Sequence, residues 1–251
     1  MISDQFAREL EQAAENVANH TVEFICGKGS NEIWRCTNNG SSCYGFDLVI
    51  SRFGIAMYGD VDSLVFSVGS QYGIDFLARK SVCGYMISKL ESEYREKREL
   101  DEDALKYVLA MNGAELLEQQ FIPYVDPDTC EYTELPVWVS EASSGNVKAR
   151  QLDDVIELME KHANNQEHMF FDLFLSACDI LLTDRAGDGL QAVEAYLSEE
   201  YEALNLGPEW YEHTISKHDS RLIQRLEMLR ICAVKIQEIK NAGDGSEEQS
   251  H

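Results

Sequence analysis

The hydrophobic pattern changes character along the chain. Between Thr21 and Val68 the apolar residues form short alternating runs, separated by turns rich in Gly, Asn, Ser and Asp. Alternation places successive side chains on opposite faces of a strand, so the pattern predicts β-strands, and the short connections favour an antiparallel meander. The five apolar runs are Val22 to Cys26, Ile33 to Cys36, Phe46 to Ile50, Ile55 to Tyr58, and Leu64 to Val68.

A helical period replaces this alternation in the rest of the chain. The pattern predicts one helix over Val82–Arg98 and a second helix that is capped by Asp101. From Leu152 onward every apolar run has a helical period, and the last helix is expected to begin at Pro208. Phe170, Phe171 and Phe174 lie in a segment that is apolar nearly all round, which is typical of a central bundle helix.

The order of these elements predicts an α+β fold, in which a helix-flanked antiparallel sheet is followed by an all-helical C-terminal region. The most linker-like interior stretch is residues 141–147. We therefore expect an α+β domain over residues 1–140 and a helical bundle over residues 147–240. Residues 241–251 lack an apolar anchor and are expected to be a disordered tail.

The last helix carries an apolar seam between Ile215 and Ile236, at spacings close to 3.5 residues. Packing of this seam onto the acidic helices of the same chain is the simpler prediction. Homodimerisation through residues 215–236 is the alternative.

Targeting and cofactor signals are not found in the sequence. No apolar run reaches the length of a membrane span, and the first 20 residues lack the pattern of a signal peptide. The seven cysteines show neither the dense spacing of a secreted scaffold nor a Cys-x-x-Cys pair. Phosphate-loop, dinucleotide-binding, nucleophile-elbow and HExxH motifs are also missing. The sequence predicts a cytoplasmic protein with no cofactor and no membrane partner.

The charge of the chain is concentrated in its middle. The formal net charge is −24, and residues 99–212 contain 26 acidic and five basic residues, whereas residues 1–89 contain ten and seven. A surface of this kind repels nucleic acid and anionic membranes and attracts basic proteins, notably those that hold DNA or RNA. A surface that is acidic only for solubility is the alternative, but solubility does not require the acids to avoid the first 89 residues.

The clustered acids of this region are the predicted partner-binding residues. Carboxylates three or four residues apart stack on one face of a helix, so Asp153, Glu157 and Glu160 are expected to form a stripe. The full set is Glu99, Asp101, Glu102, Asp103, Asp126, Asp128, Glu131, Glu134, Asp153, Asp154, Glu157, Glu160, Glu199, Glu200 and Glu202.

One short motif lies between two of the apolar strands. The sequence from Tyr58 to Ser63, YGDVDS, resembles the YGDTDS signature of family B DNA polymerases. That resemblance implies a metal-dependent enzyme that acts on a nucleotide or nucleic acid through Asp60 and Asp62. Asp and Gly are also the residues that a hairpin turn prefers, and the chain has no second acidic motif of that family. We interpret the motif as a turn and keep the metal site, and with it enzymatic activity, as the alternative.

A longer resemblance covers about residues 33–91, with FDLVISRFGIAMYGDVDSLVFSVGSQYGIDFLARKSVCGYMISKLE as its central run. This segment is similar to a family of uncharacterised proteins of tailed bacteriophages and prophages. The resemblance implies a context in which small acidic proteins bind and disable a host protein, as anti-restriction and anti-CRISPR proteins do. The predicted function is a phage-type inhibitor, in the host cytoplasm, that binds a basic, nucleic-acid-binding defence protein.

Overall fold

The structure is a computed structural model, which describes residues 5–82, 84–125, 132–148, 151–165, 169–207, 209–210 and 213–247. It contains two compact units. The first, here called the sheet unit, combines residues 1–97 with residues 218–251, and the second, the helical unit, comprises residues 98–217. The sequence-based boundary at residues 141–147 is not where the units divide. The reason is that the C-terminal segment returns to the N-terminal sheet.

The sheet unit contains a five-stranded sheet in the order β1-β2-β3-β4-β5. Each strand is antiparallel to the next, so the predicted meander and the α+β fold are confirmed. The turn between β2 and β3 contains Asn39 and Gly40 with φ angles of 49° and 80°, the left-handed conformations that a two-residue hairpin requires. The strands are β1 (Thr21–Lys28), β2 (Asn31–Asn38), β3 (Ser41–Ser51), β4 (Gly54–Gly59) and β5 (Leu64–Phe66).

One face of this sheet is buried. Trp34, Phe46, Leu48, Ile55 and Met57 belong to a core that is completed by helix α1 (Ala7–Val17) and by the last helix of the chain. Each full burial of a large apolar side chain contributes about 1.5–3 kcal/mol, so this face fixes the strand register.

Two short helices replace the single helix expected over Val82–Arg98, and a third short helix precedes them. The helix that precedes is α2 (Ile74–Leu77), and the two that replace the expected helix are α3 (Gly84–Ser88) and α4 (Ser92–Arg95). The chain between α3 and α4 forms backbone hydrogen bonds with the end of the sheet. The N–H of Ser67 donates to the carbonyl of Lys89 at 2.9 Å, and the N–H of Glu91 donates to the carbonyl of Val65 at 3.0 Å. Backbone groups that bond to β5 are not available for a helix, which explains the interruption.

The last helix, α10 (Ser220–Glu247), begins twelve residues after the expected start at Pro208. The carboxylate of Asp219 accepts a hydrogen bond from the N–H of Leu222 at 2.8 Å and so caps its first turn. The helix continues to Glu247, where a disordered tail was expected from residue 241, and residues 248–251 lie outside the described residues.

The apolar seam of this helix is buried in the sheet unit, so the prediction that it packs onto the acidic helices is wrong. Leu222, Leu226, Leu229, Ala233 and Ile236 all belong to the sheet-unit core. A seam that is covered within the protomer has no exposed apolar surface to offer to a second copy. The basic residue Lys235 has a structural role as well, since its Nζ donates to the carbonyls of Val17, Ala18 and His20 at 3.1, 3.3 and 2.7 Å. It therefore caps the C-terminal end of α1.

The helical unit has a core of its own. Gly113 lies where three of its helices meet, because a Cβ at this position would lie 2.7 Å from Cγ1 of Val155 and 2.8 Å from Cζ of Phe174. The supposed linker at residues 141–147 belongs to this core through Ala142 and Val147. The helices are α5 (Glu102–Gln120), α6 (Val137–Ser143), α7 (Leu152–Asn165), α8 (Met169–Ile180) and α9 (Leu190–Glu200).

Shorter elements complete the helical unit. Helix α8 continues as a π-helical turn over Leu181–Arg185 and a 3-10 turn over Ala186–Asp188. Strands β6 (Arg98–Leu100) and β9 (Ser216–His218) pair, as do β7 (Tyr124–Val125) and β8 (Tyr132–Thr133). Among the described residues, no helix combines the length and apolar character that crossing a membrane demands.

Candidate partner-binding surface

The excess negative charge coincides with the helical unit. Residues 98–217 contain 26 acidic and seven basic residues, a net charge of −19, and the sheet unit contains the remaining 19 acidic and 14 basic residues, a net charge of −5. The chain thus separates its charge between two folded bodies, rather than spreading it over one.

The two units also differ in how their carboxylates are compensated. In the sheet unit, the described carboxylates often pair with a cation of the same unit, and in the helical unit the pair of Glu99 with Lys217, at 3.5 Å, is the one ion pair found among the described residues. The sheet-unit pairs are Arg35 with Asp47, Arg95 with Glu96, Arg225 with Asp62, Arg230 with Glu227, and Lys240 with Glu32.

Helix α7 carries the predicted acidic stripe on its exposed face. Leu152, Val155 and Met159 are buried in the core of the helical unit, whereas the four acids of this helix, Asp153, Asp154, Glu157 and Glu160, are exposed. None of these four carboxylates forms an ion pair with a described residue. Like charges three and four residues apart cost a helix a few tenths of a kcal/mol each, a cost that a basic partner would remove.

The acids at the start of α5 have two different roles. The carboxylate of Asp101 accepts a hydrogen bond from the N–H of Ala104 at 3.3 Å, and the N–H of Asp101 donates to the carbonyl of Ile215 at 2.8 Å. Asp101 is therefore the N-cap that the sequence predicts, and Glu99 pairs with Lys217. Glu102 and Asp103 are exposed in the first turn, where the helix dipole favours negative charge.

The acids near the end of α9 lie at the helix terminus that disfavours negative charge, unlike those at the start of α5. Glu199 and Glu200 are exposed in the last turn, where the partial negative charge of the helix C-terminus opposes them, and Glu202 follows at once. Glu134 is exposed as well. The remaining predicted residues, Asp126, Asp128 and Glu131, lie outside the described residues.

Helix α8 presents apolar side chains to solvent as well as to the core, which the expectation of a fully central helix missed. Phe171, Phe174, Ala177 and Cys178 are buried, and burial raises the pKa of the Cys178 thiol to about 12. The exposed apolar side chains are Met169 at 64%, Phe170 at 48%, Leu173 at 48% and Ile180 at 36% of full accessibility. The recurrence of Asp172 and Asp179 beside them, seven residues apart, is the signal that sequence reasoning could have used.

A groove of about 210 Å³ adjoins this apolar face. Phe170 and Leu173 form one side of the groove, and Glu202, one of the predicted partner-binding residues, lies on another. The hydroxyl of Tyr201 donates to Oε1 of Glu202 at 3.2 Å, and this bond together with the carboxylate charge raises the pKa of Tyr201. The other lining residues are Leu116, Gln119, Gln120, Ala203 and Asn205.

The YGDVDS motif forms the turn between β4 and β5. The carboxylate of Asp60 accepts a hydrogen bond from the N–H of Tyr44 at 3.0 Å, and that of Asp62 accepts one from the N–H of Ser63 at 2.9 Å. The other oxygen of Asp62 bonds Nη1 of Arg225 at 3.1 Å. Asp62 has a φ angle of 75°, the left-handed conformation that Asp and Asn tolerate in turns.

A small cavity of about 270 Å³ adjoins this turn. Asp60 and Asp62 lie on one side of it, and Arg221 and Arg225 of α10 lie on the other. A guanidinium bonded to one of two carboxylates takes the place that a cation would occupy, so this arrangement differs from a pair of free metal ligands. Among the described residues, no three His, Cys, Asp or Glu side chains are grouped as a metal site would require.

Comparison of the chain with protein-family models, with curated proteins and with solved structures gave no match.

Proposed function

We propose that this chain is an inhibitory interaction protein, in which the acidic helical unit binds the basic, nucleic-acid-binding site of another protein. The observation that carries this proposal is the set of exposed carboxylates on α7 that form no ion pair with a described residue, in a unit with a net charge of −19, whereas the sheet unit pairs several of its own charges. A basic site that binds phosphates is complementary to such a surface, and the two ligands would compete for it.

The phage context belongs to the same proposal. The chain would be a phage-type inhibitor of a host defence protein, of the anti-restriction or anti-CRISPR kind. A surface with the charge of nucleic acid would let such an inhibitor occupy the nucleic-acid-binding site of its target. Charge alone gives a fast encounter, but a stable complex also needs apolar contacts at the centre of the interface. The exposed apolar side chains of α8 lie in the same unit as the acids and are available for such contacts.

Capture from a bacterial lysate tests the proposal. The immobilised full chain is compared with an acidic-stripe variant, Asp153→Lys with Glu157→Lys and Glu160→Lys. Its matched control is a sheet-unit variant, Glu11→Lys with Glu15→Lys and Glu238→Lys, which changes the net charge equally at three exposed acids. Bound proteins are then eluted with duplex DNA and identified.

We expect a basic nucleic-acid-binding protein that the unmodified chain and the sheet-unit variant retain, that DNA displaces, and that the acidic-stripe variant does not retain. Equal retention by the two variants, or a partner that DNA does not displace, contradicts the proposal.

A further inference from the structure

We infer that the exposed face of α8 and its adjoining groove receive an amphipathic basic helix of the partner, with an apolar side chain of that helix inserted between Phe170 and the chain after α9. This inference rests on the proposed function, since it names the part of a basic partner that the helical unit binds.

The apolar face has the shape of a helix-packing surface. At 100° per residue, Met169, Leu173 and Ile180 lie within about 40° of one another on α8. They span about 16 Å, which is three helical turns, and the exposed Ser176 lies between Leu173 and Ile180 on the same face. A partner helix that packs along this strip would present apolar residues at i, i+3 or i+4, and i+7, the usual pattern of a helix bound in a groove.

The groove beside the strip is a formed feature of the unit. The residues after α9 form one wall of the groove. This wall is hydrogen-bonded to α5, because Nδ2 of Asn205 donates to the carbonyl of Asn112 at 3.2 Å. Asn112 is itself buried, and its Nδ2 donates to the carbonyl of Val108 at 2.8 Å. A volume of about 210 Å³ between this wall and Leu173 has room for one large apolar side chain.

The charges around the apolar strip select a basic partner. Glu202 lines the groove, and Asp172 and Asp179 lie together about 60 to 80° to one side of the strip. On the α5 side, the carboxylate of Glu115 accepts a hydrogen bond from Nε2 of the groove residue Gln119 at 3.0 Å. Among the described residues that line the groove there is no Lys or Arg. A helix with Lys or Arg on both sides of an apolar stripe complements this arrangement, whereas nucleic acid does not.

Synthetic peptides test the inference on the full chain. The first is a fourteen-residue peptide of Leu and Lys with Leu at helical spacing, and the second is oligolysine of the same length. Binding is measured by calorimetry for the unmodified chain and for Phe170→Ser with Leu173→Gln, which removes two exposed side chains. Val137→Gln is the matched control, because Val137 is also exposed and apolar in the helical unit. Ala203→Phe, which fills the groove, is a second and independent variant.

We expect the double variant and Ala203→Phe each to weaken binding of the amphipathic peptide by about tenfold or more and binding of oligolysine by less than about twofold, with Val137→Gln unchanged. The inference is wrong when the double variant and Ala203→Phe bind the amphipathic peptide as the unmodified chain does. The acidic-stripe variant distinguishes this result from a failure of the proposed function. If that variant binds oligolysine more weakly, the acidic surface is still the binding region. If it binds both peptides as the unmodified chain does, the proposed function is wrong.

Discussion

The sheet unit and the helical unit differ in how many of their described acidic residues form ion pairs. In the sheet unit, several described carboxylates are paired with arginines or lysines, some of them far away in sequence, as in the contact between Asp62 and Arg225. In the helical unit, the acids of α7 are exposed, and none of them forms an ion pair with a described residue. The difference shows that the excess negative charge belongs to one folded unit, which a uniform demand for solubility would not require.

The units also differ in how their cores are assembled. The sheet unit needs residues from both ends of the chain, because α10 completes the core over the N-terminal sheet. The helical unit is continuous in sequence, and its helices pack on near neighbours around Gly113. Substitutions in the two units should therefore destabilise different parts of the molecule.

The largest expected effect comes from Leu226→Asp combined with Leu229→Asp. Both residues are fully buried, and two unpaired buried carboxylates cost several kcal/mol against a total stability of about 5–15 kcal/mol. Hydrogen exchange should show loss of protection in the sheet unit while the amides of α5, α7 and α8 stay protected. Ile239→Asp, at an exposed position of the same helix, is the control and should be nearly neutral.

A soluble double variant with a fully protected sheet unit, together with a dimeric unmodified chain, would contradict this reading of α10. Such a result would indicate that the seam of α10 is a dimer interface.

A smaller loss of stability, confined to the helical unit, is expected for Gly113→Ala. Alanine normally stabilises a helix by about 1 kcal/mol relative to glycine. Here its Cβ would approach Val155 and Phe174 to 2.7 and 2.8 Å, so overpacking should outweigh that gain and give a net loss of about 1–3 kcal/mol. Gly187→Ala is the matched control, since a Cβ at that position would have no atom of a residue packed against it within 4 Å. Urea denaturation that shows Gly113→Ala to be stabilising would refute the close packing of the three helices.

The third prediction separates structural acids from surface acids within the helical unit. Asp101→Ala removes the cap of α5 and should cost about 1 kcal/mol. Asp103→Ala removes an exposed carboxylate two residues later and should cost less than about 0.5 kcal/mol. Thermal denaturation of both variants measures the difference, and equal losses would count against the assigned cap.

The smallest effect is a pH dependence in the sheet unit. Burial lowers the pKa of His20 below its ordinary value of 6.5, although the hydrogen bond from its Nε2 to the carbonyl of Tyr44, at 3.1 Å, opposes the shift, and Lys235 adds to it. The neutral ring is the form favoured by folding. Its contribution to stability is therefore complete above pH 6.5 and is lost as the pH falls through the lower pKa of the folded state.

We expect the unmodified protein to lose more stability between pH 7.5 and pH 5.5 than His20→Gln, which keeps a donor for Tyr44. Urea midpoints at the two pH values check this expectation. Identical pH dependence in the two proteins would show that His20 does not titrate in this way.

The sequence predicts the strands of the sheet well, because alternation over Phe46 to Ile50 and over Ile55 to Tyr58 is a local signal. The break in the expected helix at residues 82–98 depends on bonds from residues 89–91 to the end of the sheet, which no local pattern reports. Likewise, the period of the α10 seam identifies an apolar face but not the surface that covers it.

The candidate site was only partly accessible to sequence reasoning. Exposure of the α7 stripe follows from the helical period, and the cap at Asp101 follows from the residue type. The exposed half of α8 was missed because the helix is apolar nearly all round, and the recurrence of Asp172 and Asp179 is the one signal that marks its exposed side. The contact of Asp62 with Arg225 joins residues 163 positions apart and has no sequence signal.

The most direct test of the central claim is the affinity of the captured partner for the acidic-stripe and sheet-unit variants, measured by fluorescence anisotropy over a range of salt concentrations. Exposed charges are screened beyond about 8 Å at physiological ionic strength, so all affinities should fall as salt is raised. We predict that the acidic-stripe variant binds at least about tenfold more weakly than the unmodified chain and with a shallower salt dependence, while the sheet-unit variant stays within about twofold. Equal losses of affinity in the two variants would contradict a binding surface confined to the helical unit.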